Sequence, residues 1–130
     1  MIALDTNVLA RLLLRDDEAQ CRKAIRLFND GREYTAPPTV MLELVWVLGG
    51  YGHTRGDICA SLKSLLGLPN FKPKQGVAIA LALVWYEAGM DFGDALHLAL
   101  SNGDEAFATF DTRLAKRAER CGVEPTIELL

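Results

Sequence analysis

Two aspartates occupy matching positions in the sequence. Asp5 directly follows the apolar run at residues 2–4, Asp111 directly follows the run at residues 106–110, and a helical pattern begins after each. Taken singly, each aspartate is explained more simply as an N-cap that accepts hydrogen bonds from the first amides of a helix. The pair indicates more, because the carboxyl ends of parallel strands meet at one edge of a sheet, where ligands bind.

Glu43 lies in a helical segment that is otherwise apolar. Its neighbours at helical spacing include Trp46, and no lysine or arginine occurs between residues 33 and 55 to pair with it locally. Burying a lone carboxylate is costly unless a cation or hydrogen-bond donors compensate it. A capping box would need the acid three residues after Thr39, where Leu42 stands. A distant arginine partner and a metal site both stay open for Glu43.

A further acidic motif lies between residues 91 and 97. Asp91, Asp94 and His97 recur at every third residue, so they can line one face at the start of a helix. We expect Asp91 to cap this helix and Asp94 to be the functional carboxylate. His97 stands among leucines and is expected to pack or hydrogen-bond in the core, outside the set of metal ligands.

Carboxylates gathered at one point imply a cation. Three or four of them within a few ångströms would repel one another and raise some of their pKa values unless a divalent ion lay among them. The candidate ligands are oxygen atoms, with no pair of Cys or His residues at ligand spacing. The sequence therefore predicts a site for Mg²⁺ or Mn²⁺.

The elements that must position these residues alternate between short apolar runs and helical segments. This alternation predicts an α/β fold, a three-layer α/β/α sandwich around a mostly parallel sheet of four to five strands. The predicted helix at residues 75–88 is apolar nearly all round and should be central. Strands are predicted at residues 2–4 (buried), 34–36, 106–110 and 125–129, with 68–72 ambiguous between a loop and an edge strand. Helices are predicted after Asp5, from 16 or 17 to near 31, and over 39–48 (ended by Gly49 and Gly50), 54–66, 75–88, 92–100 and 112–120.

Composition bounds the classes of protein to consider. The chain has 130 residues, of which 50% are hydrophobic and 24% charged, which predicts one globular domain over residues 1–130. Its formal net charge of -3 does not favour a nucleic-acid partner on composition alone. Without the four acids Asp5, Glu43, Asp94 and Asp111, however, the rest of the chain is slightly basic, so the negative excess can be assigned to a metal pocket.

Cysteine usage and hydropathy predict a location. Cys21, Cys59 and Cys121 form no CxxC pair, which indicates neither a disulfide framework nor structural zinc and fits a reducing cytoplasm. The first residues lack the pattern of a signal peptide. The longest apolar run, residues 77–86, is much shorter than the roughly 20 residues of a membrane span. We therefore expect a cytoplasmic protein without a membrane partner.

The chain resembles the PIN-domain ribonucleases, in particular the VapC toxins of bacterial and archaeal toxin-antitoxin pairs. The motifs that carry the resemblance are residues 4–9, 42–44, 91–99 and 109–111, in the family's order across essentially the whole chain. The resemblance implies that Asp5, Glu43, Asp94 and Asp111 form the acidic quartet of the family. Asp5 and Asp94 would be the principal metal ligands, Thr6 a polar neighbour of Asp5, and Asp111 the member whose necessity varies most.

The resemblance also implies an activity and partners. The chain would be an Mg²⁺-dependent endoribonuclease that hydrolyses RNA phosphodiester bonds, neutralised by a VapB-like antitoxin and assembled as a homodimer. Cations at the rim of the acidic site would bind the substrate. The expected substrate-binding residues are Thr6, Arg11, Arg113 and Arg117. The available cations are Arg11, Arg15, Arg113, Lys116, Arg117 and Arg120, and a solvated helix face explains the last four equally well.

Two other functions compete with the nuclease on the sequence. A haloacid-dehalogenase-type phosphatase also begins with a strand and an Asp, but its chemistry needs a second Asp two residues later, where this chain has Asn7. A non-catalytic, receiver-like α/β module would need a Lys at the end of a late strand, and residues 106–110 end without one. The apolar helical surface near Trp46, Leu48 and Tyr51 could dock a second protomer or a partner segment, although core burial is the stronger expectation for Trp46.

Overall fold

The computed structural model describes all residues from 1 to 130 and has a mixed α/β fold with seven helices and four short strands. Every strand pair is parallel, as predicted. The chain forms two compact units, Met1–Gly76 and Val77–Leu130. The elements are β1 (Ile2–Ala3), α1 (Thr6–Leu14), α2 (Glu18–Phe28), β2 (Tyr34–Thr35), α3 (Pro38–Gly50), α4 (Arg55–Leu66), α5 (Gly76–Glu87), α6 (Phe92–Leu100), β3 (Ala106–Thr109), α7 (Thr112–Cys121) and β4 (Thr126–Leu129).

The strands form two parallel pairs, one in each unit, where the sequence predicted a sheet of four to five strands. In the first unit, β1 pairs with β2, and the ambiguous segment 68–72 adds an isolated parallel bridge between Phe71 and Tyr34. The β1–β2 ladder covers only two residues because Asp5 already caps a helix and Pro37 and Pro38 follow β2. In the second unit, β3 pairs with β4 over four residues.

The first strand is less buried than its apolar sequence predicted. Ile2 is 37% exposed and Ala3 is also exposed, so Leu4 is the buried residue of the run. Within its ladder, β1 has a hydrogen-bonded partner on one side, and edge strands of this kind keep more contact with solvent than central ones. The prediction of a fully buried first strand was therefore wrong.

Two helices differ from their predictions. Helix α3 continues through Gly49 and Gly50, and the chain turns only at Gly52, whose φ is +83°. Glycine in a helix costs about 1 kcal/mol relative to alanine but does not end it by itself. Helix α5 is not buried all round, since Val77 and Val84 are exposed while Ile79, Leu83 and Trp85 face the core of the second unit.

A buried tyrosine ties β2 to the end of α2 in the first unit. Tyr34 is fully buried, and its hydroxyl lies within hydrogen-bond distance of the Asp30 carboxylate and of the Leu27 carbonyl, at 3.0 Å from the latter. Arg32 donates to Asp30 from its amide, at 2.9 Å, and from Nε, at 2.8 Å. The hydrogen bonds from Arg32 and then Tyr34 lower the pKa of Asp30 to about 2.

We expect this cluster to make the stability of the fold depend on pH. Because the pKa of Asp30 is depressed when the chain is folded, its carboxylate stabilises the fold above pH 3.8 and loses that contribution as the pH falls towards about 2. Asp30→Asn should lower the melting temperature at neutral pH and flatten its decline in acid. Thermal unfolding followed by circular dichroism from pH 7 down to the acid range measures both effects. The control is Asp104→Asn, which removes an exposed acid whose side chain has no hydrogen-bond partner. If the melting temperatures of Asp30→Asn and the wild type fall in parallel as the pH is lowered, the expectation is contradicted.

Candidate functional site

The start of α6 holds two of the acids that the sequence singled out. Asp91 is the N-cap of α6, as predicted, and its Oδ2 accepts a hydrogen bond of 3.1 Å from the amide of Asp94. Asp94 lies in the first turn of the helix, where its side chain is half-buried. The cap therefore fixes the backbone of Asp94 and leaves the Asp94 carboxylate for another role.

The Asp94 carboxylate carries an uncompensated charge. It accepts no hydrogen bond and forms no ion pair, although it is half-buried. Burial raises its pKa first, and the negative charges of Asp91 and Asp111 raise it further, against the opposing effect of His97. Asp91, Asp94 and Asp111 are thus close enough to repel one another. Asp94 is therefore a half-buried acid whose carboxylate has no hydrogen-bond or ion-pair partner.

Asp111 combines a structural bond with a free oxygen. It is the N-cap of α7, and its Oδ1 accepts hydrogen bonds from the amides of Arg113, at 2.9 Å, and Leu114, at 3.0 Å. Its own amide donates to Thr109 Oγ1 at 3.0 Å. The carboxylate is exposed and Oδ2 accepts no hydrogen bond, so Asp111 can cap its helix and contact a ligand at once.

Asp5 and Glu43 lie in the first unit. Asp5 is exposed and caps α1, with Oδ1 accepting a 2.7 Å hydrogen bond from the amide of Thr6, whose side chain is buried. Glu43 lies in the middle of α3 with its carboxylate exposed and without a hydrogen-bond or ion-pair partner. Both carboxylates are therefore available to a ligand.

Glu43 does not lie in the buried, apolar surroundings that its sequence neighbours predicted. Glu43 is not buried, and Trp46, expected in the core, is 63% exposed. Thr39, Glu43, Trp46 and Gly50 follow one another at helical spacing along a single exposed stripe of α3. Trp46 is thus a neighbour of Glu43 on the solvent side of the helix. The apolar character of Trp46 did not indicate that this face of α3 is buried.

His97 is likewise exposed, and the expectation that it packs in the core was wrong. Leu96 and Leu98 are buried, but residues adjacent in a helix point about 100° apart, so the leucines do not share the direction of the histidine. His97 lies one turn beyond Asp94, and its charge lowers the pKa of Asp94. A leucine-rich sequence around a histidine therefore did not identify the face on which the histidine lies.

A family model named PIN domain matches residues 2–120. The chain belongs to the PIN-domain family. PIN domains are generally nucleases that bind RNA and use divalent metal ions. The match covers both compact units and includes all four acids of the predicted quartet. No curated protein sequence and no solved structure matched the chain in the comparisons.

The donor chemistry of this PIN domain fits a divalent cation. No group of three or more His, Cys, Asp or Glu side chains is arranged to hold a metal ion. The fit therefore rests on the type and charge of the ligands. Carboxylate oxygens are the ligands that Mg²⁺ prefers, and the Asp94 carboxylate has no hydrogen-bond or ion-pair partner in the chain. The three cysteines are free thiols, and no helix of the PIN domain is long and apolar enough to cross a membrane.

The cations expected at the substrate rim differ in their partners. Arg11 forms a 2.9 Å ion pair with Asp16 and donates a 2.7 Å hydrogen bond to Gln20, and the Tyr51 hydroxyl contributes most to raising the pKa of Arg11. Arg117 Nη1 donates to the carbonyl oxygen of Gly89 at 2.6 Å. The guanidinium of Arg113 is exposed and has no partner. Of the three arginines Arg11, Arg113 and Arg117, Arg113 is the one that can bind a substrate without breaking a bond.

The contact between Arg117 and Gly89 could not be predicted from the sequence. Gly89 has a φ of +112°, and a Cβ on it would lie 2.6 Å from Arg117 Nη1. The bond links α7 to the turn after α5, two residues before the cap Asp91. No sequence signal joins these residues, because they are 28 positions apart.

Proposed function

We propose that this PIN domain is a metal-dependent endoribonuclease that hydrolyses RNA phosphodiester bonds with Mg²⁺ or Mn²⁺. The observation that carries the proposal is Asp94, a half-buried carboxylate without hydrogen bond or ion pair, held among the like charges of Asp91 and Asp111. Structural acids in folded proteins are normally paired, so this arrangement favours a functional role. Membership of the PIN-domain family supplies the class of reaction.

In this proposal, Asp5, Glu43, Asp94 and Asp111 hold the ion, with Asp5 and Asp94 as its principal ligands. When bound there, a divalent ion would supply positive charge for the phosphate oxygens and would lower the pKa of a water molecule. Glu43 or Asp94 would orient the attacking water, since neither carboxylate has a hydrogen-bond or ion-pair partner in the chain. Asp111 keeps Oδ1 on the amides of α7 and offers Oδ2 to the site.

The nuclease activity is tested with purified protein and single-stranded RNA. We expect cleavage in Mg²⁺ or Mn²⁺, none in EDTA, and recovery when the metal is restored in excess. Because water is the nucleophile, the products should carry no 2′,3′-cyclic phosphate, which mass spectrometry of the fragments detects. Protein with Asp94→Asn, purified in parallel, controls for contaminating nucleases. Cleavage that persists in EDTA, or that is equal in the variant, would show that the proposed chemistry is wrong.

We further propose that the chain is the toxin of a VapBC-type pair and acts in the cytoplasm as a homodimer, bound and silenced by a VapB-like antitoxin. The motif resemblance supports this role, and the exposed Trp46 and Tyr51, 63% and 56% accessible, provide apolar surface for a protein partner. Expression of the chain alone should slow growth of the native host, and the small protein encoded beside it should relieve the effect. If expression of the chain does not slow growth while the purified protein still cleaves RNA, the toxin role is contradicted and the nuclease activity is not.

A further inference from the structure

The outer face of α7 carries a row of cations. Arg113, Lys116, Arg117 and Arg120 fall within an arc of about 100° on the helix, and no acid interrupts the row. The opposite side packs Leu114 and Ala118 into the second unit. The row is therefore held facing solvent by the burial of the other side.

Three of the four cations are free, and one is not. Arg113, Lys116 and Arg120 are exposed and form no hydrogen bond or ion pair through their side chains. Arg117 donates to the Gly89 carbonyl at 2.6 Å, near the C-terminal end of α5, where the helix dipole favours a cation. The three free cations extend over about 10 Å along the helix axis, enough to contact successive phosphates of one strand.

An exposed aromatic ring stands at the start of this row. Phe110 is 80% exposed, although it directly follows the strand β3, and it precedes Asp111, the cap of α7. Folding gains little from a ring left in solvent. Proteins that bind single-stranded nucleic acids combine a cationic track for the backbone with aromatic rings on which bases stack.

We propose that Phe110, Arg113, Lys116 and Arg120 form a binding track for single-stranded RNA that leads to Asp111 and Asp94. Phe110 stacks on an unpaired base, and the three cations contact consecutive phosphates along α7. Arg117 is a positioning residue that holds the turn before α6. The inference rests on the proposed nuclease function for the identity of the ligand, but its residues lie outside the acidic quartet.

Binding without cleavage tests the track directly. In EDTA, a fluorescently labelled single-stranded RNA is titrated with the full chain between about 50 and 200 mM salt. Each phosphate contact contributes about 0.7 to the slope of log affinity against log salt, so Arg113→Gln, Lys116→Gln and Arg120→Gln should each reduce the slope by about that amount. Arg117→Gln should reduce the slope by less than any of these three, because the Gly89 carbonyl holds its guanidinium away from the strand, and it should also lower the melting temperature.

The aromatic contact has a separate signature. Phe110→Ala should weaken RNA binding at least about fivefold without changing the salt slope, and Phe110→Trp should restore the affinity, because stacking carries no net charge. Val77→Ala, which shortens another exposed apolar side chain of the second unit, and Arg26→Gln, which removes an unpaired cation on α2, are the controls and should bind RNA as the wild type does. Equally tight binding of a fully paired RNA duplex would contradict the stacking role of Phe110.

The outcomes separate this track from the nuclease proposal. If the variants change the salt dependence of RNA binding in EDTA as predicted but the wild type does not cleave RNA in Mg²⁺, the binding track is supported and the proposed nuclease activity is contradicted. Metal-dependent cleavage together with an unchanged slope in the triple variant of Arg113, Lys116 and Arg120 would overturn the track. Equal effects of Arg113→Gln and Arg117→Gln on the slope would also contradict it, because only one of the two guanidinium groups is free.

Discussion

Asp94→Asn is expected to abolish metal-dependent cleavage of RNA while leaving the fold at least as stable as the wild type. The substitution removes a negative charge that is half-buried, unpaired and repelled by Asp91 and Asp111, so no stabilising bond is lost with it. The backbone amide of residue 94 keeps its hydrogen bond to the Asp91 cap. Losing about 3 kcal/mol of metal-assisted stabilisation of the transition state corresponds to a fall in rate of at least about 100-fold.

Cleavage rates and thermal unfolding, measured with and without Mn²⁺, test this prediction together. The wild type should be stabilised by the metal because the ion binds the folded chain, whereas Asp94→Asn should lose most of that shift. Asp104→Asn is the matched control, since it also removes an acid of the second unit, and it should retain both the rate and the shift. A variant that unfolds at lower temperature than the wild type without metal would show that Asp94 is a structural acid.

The second large effect concerns Asp111, where charge and capping can be separated. Asp111→Asn keeps an oxygen that accepts from the amides of Arg113 and Leu114, so α7 should remain capped while the site loses a negative ligand. We expect cleavage to fall by about 10- to 100-fold with little change in melting temperature. Asp111→Ala removes the cap as well and should additionally cost about 1 kcal/mol of stability.

Thr54→Ala is the control for the capping contribution. Thr54 caps α4 with a 3.1 Å hydrogen bond from the amide of Asp57 and has no proposed part in the site. Its removal should lower the melting temperature by an amount similar to the extra loss in Asp111→Ala, with the cleavage rate per folded molecule preserved. Equal cleavage by Asp111→Asn and the wild type would reduce Asp111 to a helix cap.

Local signals were sufficient to predict where helices begin. Asp5, Asp91 and Asp111 cap the helices expected after them, because capping depends on a few adjacent residues. The α/β class and the parallel pairing also followed from the alternation of strands and helices. The bounds of α6 agree with the prediction at both ends.

The face of each element was harder to predict than its presence. Trp46 and His97 were assigned to the core by the apolar residues near them, yet both are exposed, because exposure depends on which side of the helix meets the rest of the fold. The bond from Arg117 to Gly89 was invisible in the sequence, since it joins two elements brought together only by folding. Asp94 remains the strongest signal of the sequence, because folding alone does not explain a half-buried carboxylate without a partner.

Helix capping also bears on what substitution patterns among related chains would mean. Asp5, Asp91 and Asp111 each hold a helix start, so selection for folding alone would keep Asp, Asn, Ser or Thr at these positions. Glu43 and Asp94 accept no hydrogen bond from a backbone amide, so neither caps a helix. Persistence of an acid at residues 43 and 94 would therefore be informative about chemistry, whereas an Asp retained at residues 5, 91 or 111 would be expected even in a descendant that had lost its activity.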